Sequence, residues 1–340
     1  MGVPLKLMPI LVSFFVLVIG ASQATSRLLH EYDEAAMVEE HEKWMATYGR
    51  VYKDDAEKAK RFQIFKKNFE YIESFNKAGT KTYSLSINRF ADMTNEEFRA
   101  RNGYKPFTSS KSASFRYENV TDVPSSLDWR EEGAVTPVKN QGDCGCCWAF
   151  SAVAATEGVH QLKTGELISL SEQELVDCDT DENRGCEGGL MDSAFSFIIK
   201  NHGLATESHY PYLGIDGSCS ANEEHPPAAT IKSYEDVPEN NESALLKAVA
   251  NQPVSVAIDA GGQDFAFYSS GVFTGECGTH LDHGATAVGY GISEDGIKYW
   301  LVKNSWGVDW GEDGYIRMQR DIHDVQGLCG IAMNASYPIA

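Results

Sequence analysis

The first 143 residues contain no cysteine, because all eight cysteines lie between positions 144 and 329. Basic residues are also scarce, since Lys and Arg total 29 against 49 Asp and Glu, which gives a formal charge of -20. This deficit argues against a general nucleic-acid-binding protein, which needs a basic face to meet phosphate. After the apolar run Leu7–Ile19, no stretch is long enough to span a bilayer, so no membrane span is expected.

The start of the chain has the features of a secretory signal. Lys6 precedes the apolar run, and Ser22, Gln23 and Ala24 form a small-residue cleavage site. We therefore predict a signal peptide over residues 1–24. The chain has 340 residues, of which 42% are hydrophobic and 23% charged, a composition typical of about two globular domains. Cysteines in a secretory chain of this kind indicate a disulfide framework with possible reactive thiols.

Charge divides the remaining chain into two parts. Residues 25–122, the N-terminal segment, carry 17 basic and 16 acidic residues, whereas residues 123–340, the C-terminal segment, carry 11 and 33. The net charges of +1 and -22 place a domain boundary near residue 120. The acidity of the C-terminal segment would suit an acidic compartment, although solubility explains it equally well.

Hydrophobic periodicity predicts the main elements of both segments. In the N-terminal segment we expect helices over Val38–Gly49 and Asp55–Ala78, a strand over Tyr83–Ile87, and a polar linker over Arg101–Thr121. In the C-terminal segment, helical patterns come first and strand patterns follow, which predicts an α+β fold of two lobes with a ligand cleft between them. The predicted elements there are helices Cys147–Leu162, Ser171–Asp177 and Met191–His202, and strands Pro253–Ile258, Gly284–Tyr290, Tyr299–Val302 and Gly314–Met318.

Cys147 is a candidate nucleophile, because it starts a predicted helix whose positive end favours a thiolate. A thiolate needs a base, and His280 and His283 lie just before a predicted strand. Asn304 follows another strand and could orient an imidazole ring. Composition alone does not choose between the two histidines.

The run Gln141–Ser151, together with His283 and Asn304 in their local contexts, resembles the papain-type cysteine proteases. The resemblance implies that Cys147 is the nucleophile, His283 the base, and Asn304 the residue that orients it. It also implies that Gln141 donates to the oxyanion and that the Trp306 indole shields the Asn304–His283 hydrogen bond.

The N-terminal segment resembles the inhibitory prosegment of cathepsin L-like proteases, and the subgroup is similar to plant senescence-specific vacuolar enzymes. Ser86 departs from the usual glycine of the second prosegment motif. The residues that match the two motifs are Glu57, Arg61, Phe65, Asn68, Ile72, Asn76, Asn88, Phe90 and Asp92.

The resemblance implies a papain-like two-lobe fold, with a helical lobe, a β-barrel-like lobe and the active-site cleft between them, preceded by a mainly helical inhibitory propeptide. By the same resemblance, the pocket for the residue two before the scissile bond (P2) has four apolar walls and Asn334 at its floor. Such a pocket favours bulky apolar P2 residues. The walls are Leu190, Met191, Ala257 and Leu281, and the implied disulfides are Cys144–Cys186, Cys178–Cys219 and Cys277–Cys329.

The implied protein is a monomeric endopeptidase zymogen that needs no metal or cofactor. Its implied partners are protein and peptide substrates, its own prosegment as an intramolecular inhibitor, and cystatin-type inhibitors, with no nucleic acid. A vacuole or lysosome is the expected location, with the cell exterior as the alternative. Asn119 and Asn241 are candidate glycosylation sites, whereas Asn334, also in a sequon, falls in the implied pocket.

Other interpretations remain at this point. Cys144 and Cys147 with His280 and His283 could form a zinc site, although this leaves Gln141 and Asn304 unexplained. Cys146 replaces the usual Ser or Ala before the nucleophile; we expect a buried free thiol, with redox exchange as the alternative. A non-catalytic inhibitor or storage protein on the same scaffold, or a ligase in which an amine intercepts the thioester, would use the same residues.

Overall fold

The computed structural model describes residues 34–105, 115–220 and 227–340. The predicted signal peptide and its cleavage site lie outside the described residues. The chain divides into two compact units, Met1–Glu70 and Tyr71–Ala340, with the boundary inside helix Asp55–Ala78. Each unit is held together by its own contacts.

The first unit consists of a helix over residues 34–48 and the beginning of helix Asp55–Ala78. Its core is aromatic: the His41 ring lies 5.4 Å from that of Phe62 and 5.0 Å from that of Phe65. Trp44 packs on Phe65 with the ring centroids 5.3 Å apart. Phe62 and Phe65 therefore face inward at the three-residue spacing expected for an amphipathic helix.

The second unit combines helices with one open, nine-stranded sheet. Its helices after Ala78 are Asn95–Arg99, Cys147–Thr164, Glu172–Cys178, Met191–Lys200, Glu242–Val249 and Gln263–Ala266, with 3-10 turns at Gly185–Glu187 and Leu328–Gly330. Its strands in order across the sheet are Tyr83–Leu85, Tyr268–Phe273, Tyr315–Gln319, Lys298–Lys303, His283–Ile292, Val254–Ile258, Ala335–Ile339 and Ser233–Asp236, and Leu127–Asp128 also pairs with His283–Ile292.

All these strands pair antiparallel except Tyr268–Phe273 with Tyr315–Gln319. The edge strand Tyr83–Leu85 comes from the N-terminal segment and pairs with Tyr268–Phe273 of the C-terminal segment. Asn76 supports this edge, because its side-chain amide donates to the Leu85 carbonyl and accepts from the Leu85 N–H. The N-terminal segment thus adds a strand to the sheet of the C-terminal segment.

The helical lobe is built around the central helix, Cys147–Thr164. The helix ends where Gly165 adopts φ 82°, a left-handed conformation that glycine takes without steric cost. Trp148 on this helix is fully buried, as are Leu170 and Phe195 from neighbouring segments. On its other side the helix meets the sheet, where Ser151 donates to the carbonyl of Ala285.

A buried polar network joins the two lobes behind the cleft. The Lys139 ammonium lies 2.7 Å from a Glu172 carboxylate oxygen and 3.2 Å from one of Glu157. Thr136 donates to Glu157 and accepts from the ammonium of Lys303 on the sheet. Because the Lys139 charge is paired with two carboxylates, the network tolerates its burial.

The predicted two-lobe α+β architecture is confirmed, and so are the long helices and the central strands. Two expectations on the N-terminal segment were wrong in detail. The strand expected over Tyr83–Ile87 ends at Leu85, and the start of the expected linker, Arg101–Lys105, is bound to the C-terminal segment: Tyr104 is buried there and bridges to Gly189. In the described part of the chain no helix has both the length and the apolar character to cross a membrane.

Candidate active site

Cys147 is the first residue of the central helix and is fully buried. Cys146 occupies the N-cap position, and its side chain makes no capping hydrogen bond. The thiol of Cys147 therefore lies at the positive end of the helix, as predicted. Gly284 of the sheet packs against its main chain, since a Cβ at Gly284 would lie 3.2 Å from the Cys147 carbonyl oxygen.

Of the two candidate histidines, the structure pairs His283 with Asn304. His283 Nε2 lies 2.8 Å from Asn304 Oδ1, and both residues are buried. Because a carbonyl oxygen can only accept, Nε2 carries the proton and Nδ1 is left as the basic nitrogen. Nδ1 has no hydrogen-bond partner among the described residues. His280, in contrast, is exposed.

Trp306 covers this pair. Its indole lies 4.7 Å from the His283 ring, centroid to centroid, at an angle of 36°. Phe90 and Phe98 of the N-terminal segment also pack on the indole in edge-to-face geometry, each with its ring centroid 5.3 Å away. Asn88 holds the Phe90 main chain in place: its side-chain oxygen accepts from the Phe90 N–H, and its side-chain nitrogen donates to the carbonyl of Ala266.

Gln141 is held at both ends of its side chain. Its amide nitrogen donates to the Cys144 carbonyl, and its amide oxygen accepts from the Ser305 hydroxyl at 2.6 Å. Its own N–H also donates to the Ser305 carbonyl. Ser305 sets the orientation of the amide and leaves its second N–H available. Sequence reasoning missed Ser305, although its position next to Asn304 would have been a signal.

The residues of the predicted P2 pocket come together in one apolar cluster that also contains Cys147. Asn334 is half-buried at the same place, and its main-chain carbonyl accepts from the Ala257 N–H. The four predicted walls are all buried, and they are Leu190, Met191, Ala257 and Leu281.

The N-terminal segment crosses the cleft at Gly103. A Cβ on Gly103 would lie 1.5 Å from the carbonyl oxygen of Gly145, so only glycine fits there. The Gly103 carbonyl accepts from the Gly189 N–H at 2.8 Å, and the Tyr104 N–H donates to the Asp282 carbonyl at 3.0 Å. Sequence reasoning missed Gly103 and Tyr104, for which an aromatic residue after glycine in a polar stretch was the only signal.

Burial shifts the pKa of both Cys147 and His283. Burial raises the pKa of the Cys147 thiol to about 11, although the N–H groups of Gly284, Gly103 and Trp148 act in the opposite direction. Burial also lowers the pKa of His283 to about 4, opposed by its hydrogen bond to Asn304. Both groups are therefore neutral between these two values. Burial therefore opposes the thiolate that the helix position favours.

The structure contains the three disulfides implied by the resemblance, Cys144–Cys186, Cys178–Cys219 and Cys277–Cys329. The zinc interpretation is wrong, because the Cys144 sulfur is bonded to Cys186. In the described ranges no group of three or more His, Cys, Asp or Glu side chains could hold a metal ion. Cys146 is a buried free thiol 3.0 Å from the Tyr212 hydroxyl, which in turn donates to the Gln141 carbonyl.

Replacing Gly103 with alanine is expected to open the cleft, because the new methyl group meets main-chain atoms that cannot move aside. The unprocessed variant should react with a small thiol reagent at Cys147 at least about tenfold faster than the unprocessed wild type. Gly79→Ala is the control, since Gly79 also lies in the N-terminal segment but has nothing within 4 Å of its Cβ position. Equal labelling of Gly103→Ala and wild type would contradict the close approach at Gly103.

Two family models match the chain. The papain family cysteine protease model matches residues 123–339, and the cathepsin propeptide inhibitor domain (I29) model matches residues 41–98. The first match covers more than half of the chain. The second contains the described motif residues from Glu57 to Asp92.

Curated relatives match over nearly their whole length. The chain is 61% identical over 314 residues to the senescence-specific cysteine protease SAG39 of Oryza sativa, a match that covers 91% of this chain and 92% of the relative. It is 58% identical over 317 residues to the senescence-specific cysteine protease SAG12 of Arabidopsis thaliana, covering 90% and 91%.

Solved structures of precursors share the fold. A recombinant stem bromelain precursor aligns with a TM-score of 0.84 and 49% identity, covering 89% of this chain and 99% of that one. Digestive procathepsin L 3 of the Tenebrio molitor larval midgut aligns with a TM-score of 0.81 and 40% identity, over the same shares of the two chains. With both family models matched in order, the chain belongs to the papain family of cysteine proteases and is a cysteine endopeptidase in zymogen form, with its own propeptide inhibitor domain.

Proposed function

We propose that Cys147 attacks the peptide carbonyl of the substrate, with His283 as the proton carrier and Asn304 as the residue that orients it. The buried His283–Asn304 hydrogen bond of 2.8 Å carries this proposal, because it fixes the tautomer in which Nδ1 can take the thiol proton. His283 then protonates the leaving amine, and water hydrolyses the thioester. In this second step His283 takes a proton from the attacking water and returns it to the Cys147 sulfur, so the complete cycle restores the starting protonation state.

The oxyanion of both tetrahedral intermediates is stabilised by the Gln141 side-chain amide and the Cys147 main-chain N–H. The support for Gln141 is that one of its two amide hydrogens is used by Cys144 and its oxygen by Ser305, which leaves one directed donor. A donor that is already fixed needs little reorganisation when charge develops on the substrate oxygen.

The N-terminal segment keeps this site inactive by two means. It occupies the cleft at Gly103 and Tyr104, and it desolvates Cys147 and His283 so that their ion pair is disfavoured. We assign residues 1–24 to a signal peptide, 25–122 to the inhibitory propeptide and 123–340 to the peptidase domain. Cleavage near Val123 then releases the active enzyme.

Substrates carry a bulky apolar residue at P2. The support is the apolar cluster of Leu190, Met191, Ala257 and Leu281, which lies beside Cys147. Burying one large side chain there contributes roughly 1.5–3 kcal/mol. Partners are protein and peptide substrates and cystatin-type inhibitors, and the enzyme acts as a monomer.

The enzyme follows the secretory route to an acidic vacuole or lysosome, with the exterior as the alternative. Three disulfides support an oxidising route, and the net charge of -22 on residues 123–340 supports an acidic destination. Asn119 and Asn241 are both exposed and are the proposed glycosylation sites. The Asn334 amide is bonded to Tyr104 instead, which argues against modification there.

The test uses the purified precursor with reductant at mildly acidic pH and a fluorogenic peptide with Leu at P2. Activity should appear together with loss of the N-terminal segment, and a Cys147→Ala precursor should remain inert. A processed, folded wild type that cleaves no member of a broad peptide library would contradict the proposal.

A further inference from the structure

Tyr104 of the N-terminal segment fills the predicted P2 pocket. Its side chain is only 4% exposed and belongs to the same apolar cluster as Leu190, Met191 and Leu281. Its main chain is fixed by the bridge to Gly189 and by the hydrogen bond from its N–H to Asp282. The pocket thus already holds an aromatic ring, which shows its depth and the chemistry of its floor.

The floor of the pocket recognises the tip of this ring. The Asn334 side-chain amide donates to the Tyr104 hydroxyl at 2.6 Å. Asn334 itself is anchored, because its main-chain carbonyl accepts from the N–H of Ala257 in the pocket wall at 2.9 Å. The donor is therefore held at a fixed depth, about the length of a tyrosine side chain from the main chain that crosses the cleft.

We infer that Asn334 is a specificity-determining residue that selects tyrosine over phenylalanine at P2. The inference rests on the proposed function, since it assumes that Cys147 acts on a peptide whose P2 side chain enters this pocket. Tyrosine repeats the hydrogen bond that Tyr104 makes. Phenylalanine fills the same space but leaves the half-buried amide of Asn334 without that partner.

The direction of this preference separates it from a purely apolar pocket. In a pocket with four apolar walls and no polar floor, phenylalanine should be preferred, because tyrosine must give up the hydration of its hydroxyl. Burial raises the pKa of the Tyr104 phenol, and the charge of Asp192 raises it further, although the hydrogen bond from Asn334 acts in the opposite direction. The pocket thus favours a neutral hydroxyl tip and disfavours a carboxylate.

The experiment compares two peptides that differ only in Tyr or Phe at P2, and a third peptide with Leu at P2. The enzyme is produced as the full-length precursor and is processed before the assay. For the wild type we expect kcat/KM to be about fivefold to tenfold higher for Tyr than for Phe. In Asn334→Ala this ratio should fall to about one or below. The ratio is measured within each enzyme, so differences in the folded fraction cancel.

Met333→Leu is the matched control, because Met333 packs against the same cluster without donating a hydrogen bond there, and it should keep the Tyr preference. A wild type that cleaves the Leu peptide but shows no Tyr preference overturns this inference alone, as does a ratio that Asn334→Ala leaves unchanged. Failure to cleave any of the three peptides overturns the proposed function instead.

Discussion

Replacing Cys147 with serine should lower kcat/KM by at least about 10⁴-fold, whereas the same replacement one residue earlier, at Cys146, should leave it within about threefold. Both sulfurs are buried and free, so composition does not distinguish them. Only Cys147 starts the central helix and packs against Gly284, the residue that follows His283 in the sheet. The Cys146 sulfur instead meets Tyr212, and a serine hydroxyl can make the same hydrogen bond.

Neither variant should be left to process itself. Failure to remove the N-terminal segment would lower the measured activity in the same way as loss of the nucleophile. Both precursors and the wild type are cleaved by an added serine protease, which is then blocked with a serine-specific reagent before the assay. Thermal unfolding confirms that each variant is folded. Comparable losses at positions 146 and 147 would contradict the assignment of the nucleophile.

Alkylation of Cys147 should show opposite pH behaviour before and after removal of the N-terminal segment. A thiol with a pKa raised to about 11 is neutral below that pH, and an imidazole with a pKa lowered to about 4 is neutral above it. In the intact precursor the iodoacetamide rate should therefore rise about tenfold per pH unit between pH 6 and 9, since the thiolate fraction does so.

In the processed enzyme we expect Cys147 and His283 to be solvated again and to form a thiolate–imidazolium pair. The rate at which iodoacetamide alkylates Cys147 should then be nearly independent of pH between pH 6 and 9. At pH 6 we expect the processed enzyme to react at least about 10³-fold faster than the precursor. Peptide mapping separates labelling at Cys147 from that at Cys146. A fast, pH-independent reaction in the intact precursor would contradict the neutral, covered site.

Local sequence patterns indicate candidate site residues but carry no information about their ionisation in the folded chain. Cys147, His283 and Asn304 stand in local sequence contexts that resemble known ones, and the helix predicted over Cys147–Leu162 is observed over Cys147–Thr164. The pKa of Cys147 depends on Gly103, which is distant in sequence. No local pattern reports that a polar stretch will cover a thiol.

The sequence analysis missed strands whose local composition is unfavourable but which are stabilised by hydrogen bonds to neighbouring strands. Strand Ala335–Ile339 contains Pro338, a residue that argues against a strand, yet it pairs between Val254–Ile258 and Ser233–Asp236. Strand Tyr268–Phe273 contains Ser270 and Gly271 and lacks an apolar alternation, but it is held by neighbours on both sides. Helix Glu242–Val249 was also missed, although its cap, Asn241, was a readable signal.

We propose that the N-terminal segment both covers Cys147 and His283 and keeps them uncharged, and the most direct test is a time course of the wild-type precursor at mildly acidic pH. A peptidyl epoxide is present throughout, and mass spectrometry follows loss of the N-terminal segment and the position of the label in the same samples. Label should appear on Cys147 in step with loss of the N-terminal segment. Full labelling of Cys147 in the intact precursor, or label on Cys146, would contradict it.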